Sequence, residues 1–320
     1  MENESVLTVK NLKKYYPTKG GKVVKAVDGI SFSIPQGTTM ALVGESGCGK
    51  STTGRMVLRL AGKPTGGEVL FRGQDLYALS SKALQQLRPK LQLIFQDPFS
   101  SLSPRMPVGT LIGEAVWAHK LVDKKQLPGY VENIMERCGL QPFHKNRYPH
   151  EFSGGQRQRI CIARALALQP ELIVCDEPVS ALDVSVQAQI VNLLKQLQRE
   201  HGLSYLFISH DLSVVEHIAH TVGVMYLGSL VEYASTEVLY AQPLHPYTRA
   251  LFSAIPVPDP NHVPSPELPA GSLPSPADPP SGCKFHPRCP HCMDICITHV
   301  PQWREAAPGH FCACHLYPEQ

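Results

Sequence analysis

Residues Gly44 to Thr52 read GESGCGKST, a complete G-x-x-x-x-G-K-[ST] loop. This string constrains the fold more than any other in the chain, because its chemistry works only between a buried strand and the start of a helix. Both flanks agree: TTMALV (Thr38 to Val43) reads as a short buried strand, and a helical apolar pattern runs from Lys50 to Leu60. Gly44, Gly47 and Gly49 let backbone N–H groups turn inward around phosphate oxygens, with Glu45, Ser46 and Cys48 completing the turn. Lys50 reaches the β- and γ-phosphates of ATP, the Ser51 hydroxyl is placed to ligate Mg²⁺, and Thr52 closes the cradle.

Three further segments read as strands that end in polar chemistry. LIVCDEP ends in Asp176, which suits the Mg²⁺ shell, and Glu177, which suits the polarisation of an attacking water. SYLFI is followed by Ser209, His210 and Asp211, and His210 is the expected γ-phosphate contact. LIFQDP carries Gln96, whose amide suits Mg²⁺ or the lytic water. Tyr16 precedes the first core strands and is a candidate to stack on adenine; plain packing is the other reading. Asp176–Glu177 taken alone would read as a solvated turn. Following a phosphate loop, it reads as the second half of one site.

FSGGQRQR (Phe152 to Arg159) then narrows the class. The phosphate loop, Gln96, FSGGQ, ELIVCDEP, SALD (Ser180 to Asp183) and His210 stand in the order and spacing of ABC-transporter ATPase subunits, which this chain resembles from about residue 6 to 235. The resemblance implies an α/β P-loop NTPase fold of the ABC ATPase type, a RecA-like core with a β-rich N-terminal part and a helical signature subdomain. It also implies a head-to-tail dimer in which Ser153, Gly154, Gly155 and Gln156 of one subunit meet the nucleotide held by Lys50 of the other, with Asp183 linking the two sites. No hydrolytic position of the family is substituted, so turnover is expected.

Composition narrows the setting. The 320 residues suffice for one sizeable core and a smaller appendage, and a net charge of +3 is too small to argue for nucleic acid. The N-terminal MENESVLTVK lacks a secretory pattern, and no apolar run approaches the roughly eighteen residues of a spanning helix. A cytosolic chain that reaches the membrane through partners is expected. The stripe Val186, Ile190, Leu193, Leu194 and Leu197, ended by Gly202, reads as the buried face of a helix. The division that follows is a core at 1–85 and 160–235, a helical signature subdomain at 86–159, a helical and Pro-rich linker at 236–282, and a Cys-rich metal-binding extension at 283–320.

Ten prolines between Pro256 and Pro280 predict an extended arm, and six of the ten cysteines follow it. Clustered thiols in a cytosolic chain favour metal over disulfides. Irregular gaps flanked by prolines suit a [4Fe–4S] cluster better than paired zinc knuckles, although Zn²⁺ and free thiols remain open. HPYTRAL, LPSPADPPSGCKFHPRCP and a late CHL resemble the C-terminal region of dipeptide/oligopeptide (and related nickel) importer ATPases, closest to the F-type subunit. That resemblance implies cluster ligation by Cys283, Cys289, Cys296 and Cys314, with Cys292 and Cys312 outside the pattern. It also implies a second, homologous ATPase subunit, two transmembrane permeases and an extracytoplasmic substrate-binding protein, with the chain on the cytoplasmic face of the inner membrane. A nickel or other small-solute importer, and a soluble ABC ATPase acting on nucleic acid, are the alternatives. Alkylation of Cys48 is expected to block ATP.

Overall fold

The computed structural model describes residues 5–18, 21–255 and 274–317. Two sheets carry the chain. A four-stranded antiparallel sheet has the order β2-β1-β4-β5, from β1 (Ser5–Pro17), β2 (Val23–Pro35), β4 (Gly66–Phe71) and β5 (Gln74–Asp75). Arg72 and Gly73 both take positive φ (47° and 75°) between β4 and β5, which is the backbone that a tight hairpin turn demands.

The larger sheet contains β3 (Thr39–Val43), β6 (Leu91–Ile94), β7 (Leu172–Asp176), β8 (Ser204–Ile208), β9 (Thr221–Tyr226), β10 (Ser229–Ser235), β11 (Arg304–Ala307) and β12 (His310–Cys312). Its order is β11-β12-β10-β9-β3-β8-β7-β6. The strands from β9 to β6 run parallel, and every residue of β3, β7 and β8 is buried, as strands covered on both faces by helices must be. Because Val174 pairs with Leu206 and Asp176 with Ile208, the residues just beyond these strands emerge along one edge. Ligands of open parallel sheets bind outside that edge.

Helices Val108–Ala118, Leu127–Arg137 and Gly154–Leu166 pack together beyond β6. The helix Val184–His201 buries Ile190, Leu193, Leu194 and Leu197 as expected, half-buries Val186, and ends at Gly202 with φ 64°. Most of the Pro-rich arm, 256–273, lies outside the described residues.

The C-terminal residues are not a free-standing appendage. Strand β12 pairs with β10 (Glu232 opposite Cys312), so the hairpin β11–β12 lengthens the ATPase sheet itself. Cys283, Phe285 and Cys296 belong to the main core. Glu232, fully buried, anchors the junction by accepting from Leu244 N (2.7 Å), His245 N (2.9 Å) and His310 Nε2 (2.7 Å).

Candidate functional site

The phosphate loop leaves β3 and closes onto the helix Lys50–Val57. Gly44 and Gly49 are required there, with φ of 145° and 108°. A Cβ on Gly44 would stand 2.3 Å from the Met225 carbonyl oxygen, and one on Gly49 would stand 2.1 Å from that of Ala26. Lys50 is buried, and its ammonium donates to the carbonyls of Gly44 (2.7 Å) and Glu45 (3.0 Å). Ser51 Oγ donates to Asp176 Oδ1 at 2.7 Å, which joins the loop to the end of β7. Burial raises the Asp176 carboxyl above its ordinary pKa, against the pull of Ser51 and Arg55.

Glu177 follows directly. Its backbone has φ 48°, a conformation that L residues other than Asn, Asp and His seldom adopt, and its N–H donates to the Ile208 carbonyl at 3.0 Å. The Gln96 amide donates to Glu177 Oε2 at 2.8 Å, and His210 Nδ1 lies 3.2 Å from the same oxygen. A cavity of about 530 Å³ is lined by Ser46, Gly47, Gly49, Lys50, Ser51, Thr52, Gln96, Glu177 and His210. Val24, Lys25 and Pro276 also line it. Four of the five parallel strands, β3, β6, β7 and β8, thus lead to groups at one opening. Tyr16 does not line this cavity; it is the register partner of Val24, which does, and Lys14 sits 5.2 Å over its ring.

Ser153, Gly154, Gly155, Gln156 and Asp183 lie outside the cavity lining in this chain. Ser153 caps the helix Gly154–Leu166: its side chain accepts from Gln156 N (3.3 Å), while Gln156 Oε1 accepts from Ser153 N (3.0 Å). Gly155 is fixed by packing, since a Cβ there would stand 2.4 Å from Val186 Cγ1. Asp183 is the N-cap of the helix that carries Val186.

Cys48 belongs to the buried core under the first sheet. Its thiol is buried, and burial pushes its pKa up, so it is a poor nucleophile held beneath the loop. The C-terminal thiols need a correction. Among the described residues no three His, Cys, Asp or Glu side chains are disposed to hold a metal ion, so this geometry supports neither a zinc site nor, by itself, an iron–sulfur site. Burial lifts Cys283 to about 11, with Cys296, Cys314 and Cys289 adding to the rise. Burial likewise lifts Cys289 to about 11, with Cys314, Cys296 and Cys292 contributing. Cys292 is exposed, and Cys312 is fully buried against Leu244 on the sheet side.

The likenesses to known proteins agree with this geometry. Residues 27–180 match the ABC transporter family model, and residues 231–296 match the model for the oligopeptide/dipeptide transporter C-terminal region. The chain is 54% identical to the oligopeptide transport ATP-binding protein AppF of Bacillus subtilis strain 168, over 98% of both chains. It is 53% identical to a putative peptide import ATP-binding protein of Brucella ovis, again over 98% of each. Among solved structures, cbiO1 of Clostridium perfringens, part of an ABC transporter complex, superposes with TM-score 0.67 at 28% identity, over 75% of this chain and 92% of that one. A dimeric ATP-binding cassette in a post-hydrolysis state with ADP and Pi gives 0.65 at 27% identity, over 72% and 98%. Among the described residues, no helix is long and apolar enough to cross a membrane. A phosphate loop, an Asp–Glu strand end, a capped SGGQ helix and these matches lead to one conclusion: the chain is an ATP-hydrolysing subunit of the ABC transporter family, in the branch that carries the oligopeptide/dipeptide transporter C-terminal region.

Proposed function

We propose that this chain powers a membrane importer of di- and oligopeptides from the cytoplasmic face of the inner membrane. The match of residues 231–296 to the oligopeptide/dipeptide C-terminal region carries this reading, beside full-length likeness to peptide import ATPases. ATP is held on Gly44, Glu45, Ser46, Gly47, Cys48, Gly49, Lys50, Ser51 and Thr52, with Tyr16 flanking the base. Ser51 and Asp176 offer the hard oxygen donors that Mg²⁺ prefers, with Gln96 beside them. The metal screens the phosphate charge. Glu177 accepts the proton of the lytic water, while His210 and Gln96 hold its carboxylate in place. Closure brings this chain's Ser153–Gly154–Gly155–Gln156 turn and Asp183 against the phosphates held by the partner subunit, and the partner's matching turn against those held here. That dimer is formed with a second, homologous ATPase. Two permeases receive the motion through the helical subdomain at 86–159, and an extracytoplasmic binding protein delivers the peptide. The core is 1–85 and 160–235, the linker 236–282 and the thiol-bearing region 283–320.

A [4Fe–4S] cluster on Cys283, Cys289, Cys296 and Cys314, in preference to Zn²⁺, is part of the same proposal; the likeness of residues 231–296 to the oligopeptide/dipeptide C-terminal region supports it. Anaerobic purification followed by iron, sulfide, zinc and absorption analysis tests it. About four irons and four sulfides per chain support the cluster; one zinc without iron replaces it. The transport reading is tested by labelled dipeptide, oligopeptide and nickel uptake in cells lacking this chain, complemented by wild type or Lys50→Ala. Peptide uptake that returns only with wild type supports it. Uptake of nickel alone would move the chain to the metal-importing relatives.

A further inference from the structure

Arg288 sits in the short loop between Cys283 and Cys289, yet its guanidinium grips the phosphate loop. Nη1 donates to Glu45 Oε2 at 2.9 Å and Nη2 to Oε1 at 3.0 Å. A fork-on-fork pair fixes orientation as well as distance, because two parallel N–H bonds must align at once. It is also shielded, with Arg288 only 9% exposed and Glu45 27%.

Glu45 is held at three points. Its side chain is on Arg288, its N–H donates to the Tyr247 hydroxyl (2.8 Å), and its carbonyl accepts from Lys50 Nζ (3.0 Å). The same C-terminal loop braces the other flank. Lys284 donates to Asp28 (2.9 Å), to Ser229 Oγ (2.7 Å) and to the Leu227 carbonyl (2.9 Å), while neighbouring Gly228 N donates to the Cys48 carbonyl (2.9 Å). Phe285, buried between them, lies edge-on to Tyr226 at 5.3 Å.

We infer that Arg288 is a positioning residue for nucleotide binding: through Glu45 it holds the phosphate loop, and with it Lys50, in the form that receives the phosphates. The inference rests on reading Lys50 as the phosphate ligand. A loop deprived of this brace must be ordered at the moment of binding, so the loss falls on affinity and not on the chemical step.

The test uses the full-length chain and measures MgATP Kd, KM and kcat for Arg288→Gln, Glu45→Gln, the double variant and the reversed pair Arg288→Glu/Glu45→Arg, with Lys50→Ala and thermal melting alongside. Each single variant is expected to weaken Kd and KM about tenfold, Arg288→Gln, which lies outside the ATP-holding residues, to keep kcat at saturation within about twofold, and the double variant to be no weaker than the worse single. Partial recovery in the reversed pair supports the inference. Singles that bind like wild type while Lys50→Ala does not would overturn it, as would a lowered Tm with unchanged Kd, the mark of a mere staple. Fold-losses that multiply in the double variant would overturn it too. Should Lys50→Ala bind normally, the phosphate-site reading falls, and this inference with it.

Discussion

The Nδ1 of His210 stands 3.2 Å from the Glu177 oxygen that also receives the Gln96 amide at 2.8 Å, so one carboxylate oxygen is gripped from two strands. Glu177 in turn holds an unfavourable backbone, φ 48°, tied to Ile208. A side chain fixed this way is preorganised for proton transfer. Glu177→Gln is expected to lower kcat about a hundredfold or more while ATP affinity stays within a few-fold. Steady-state hydrolysis with a separate binding assay checks it; turnover equal to wild type would remove Glu177 from its role.

Asp176 gives a pH and stability prediction. Its folded pKa is raised, so the folded chain binds the proton more tightly than the unfolded chain. Stability from this group is therefore present at low pH and lost as pH rises from the ordinary carboxyl range through the folded value. At neutral pH the buried carboxylate opposes folding until a cation joins it. Asp176→Asn is expected to raise Tm without Mg²⁺ and to abolish Mg²⁺-dependent hydrolysis, a trade-off between stability and function. Calorimetry with and without Mg²⁺ decides it.

Gly155 leaves no room for a side chain beside Val186. Gly155→Ala is expected to cost about 1–3 kcal/mol by overpacking and to displace the SGGQ turn. In a Glu177→Gln background, ATP-dependent pairing with the second ATPase, seen by light scattering, should weaken. Retained dimers would mean that the two helices yield without disturbing the turn.

Thiol reactivity should follow burial. Exposed Cys292 is expected to alkylate first, and Cys48 to resist N-ethylmaleimide at neutral pH because its thiol is buried and its pKa raised. Peptide mapping over time would show it, and rapid Cys48 labelling would indicate a phosphate loop that opens readily.

Breaking the anchor under β10 should be costly. Glu232→Ala strands His310 and two backbone N–H groups in a dry core, a loss of about 3–5 kcal/mol. Urea unfolding measures it, and protease cleavage near residue 300 should accelerate.

The phosphate-site chemistry was legible because its residues are local to strand ends whose apolar runs announce themselves: TTMALV, ELIVCD and SYLFI each lead straight to their polar terminus. The stripe from Ile190 to Leu197 was legible for the same reason, with a period matched to a helix and a glycine to stop it. Other features left no such trace. The β11 strand is only Arg304–Ala307, too short and too polar to show an alternating pattern, so its place on the ATPase sheet was invisible. The burial of Cys48 is likewise not encoded in the loop motif, which fixes its glycines and Lys50 but not how its thiol packs. Tyr16 reads only as an aromatic before the core strands; its register partner Val24, on the same face of the sheet, lines the cavity, a cross-strand placement that no local pattern carries. The Arg288–Glu45 pair joins residues 243 apart, a separation that no local pattern encodes.

That separation also sets an order of events at the ribosome. Strand β3 and the phosphate loop emerge first, and the parallel sheet is complete at β9, but the guanidinium that grips Glu45 follows 243 residues after it. A nascent or prematurely terminated chain therefore carries every nucleotide motif and still lacks the brace. The phosphate loop is thus set in two stages, its motif first and its brace only once Arg288 has been added.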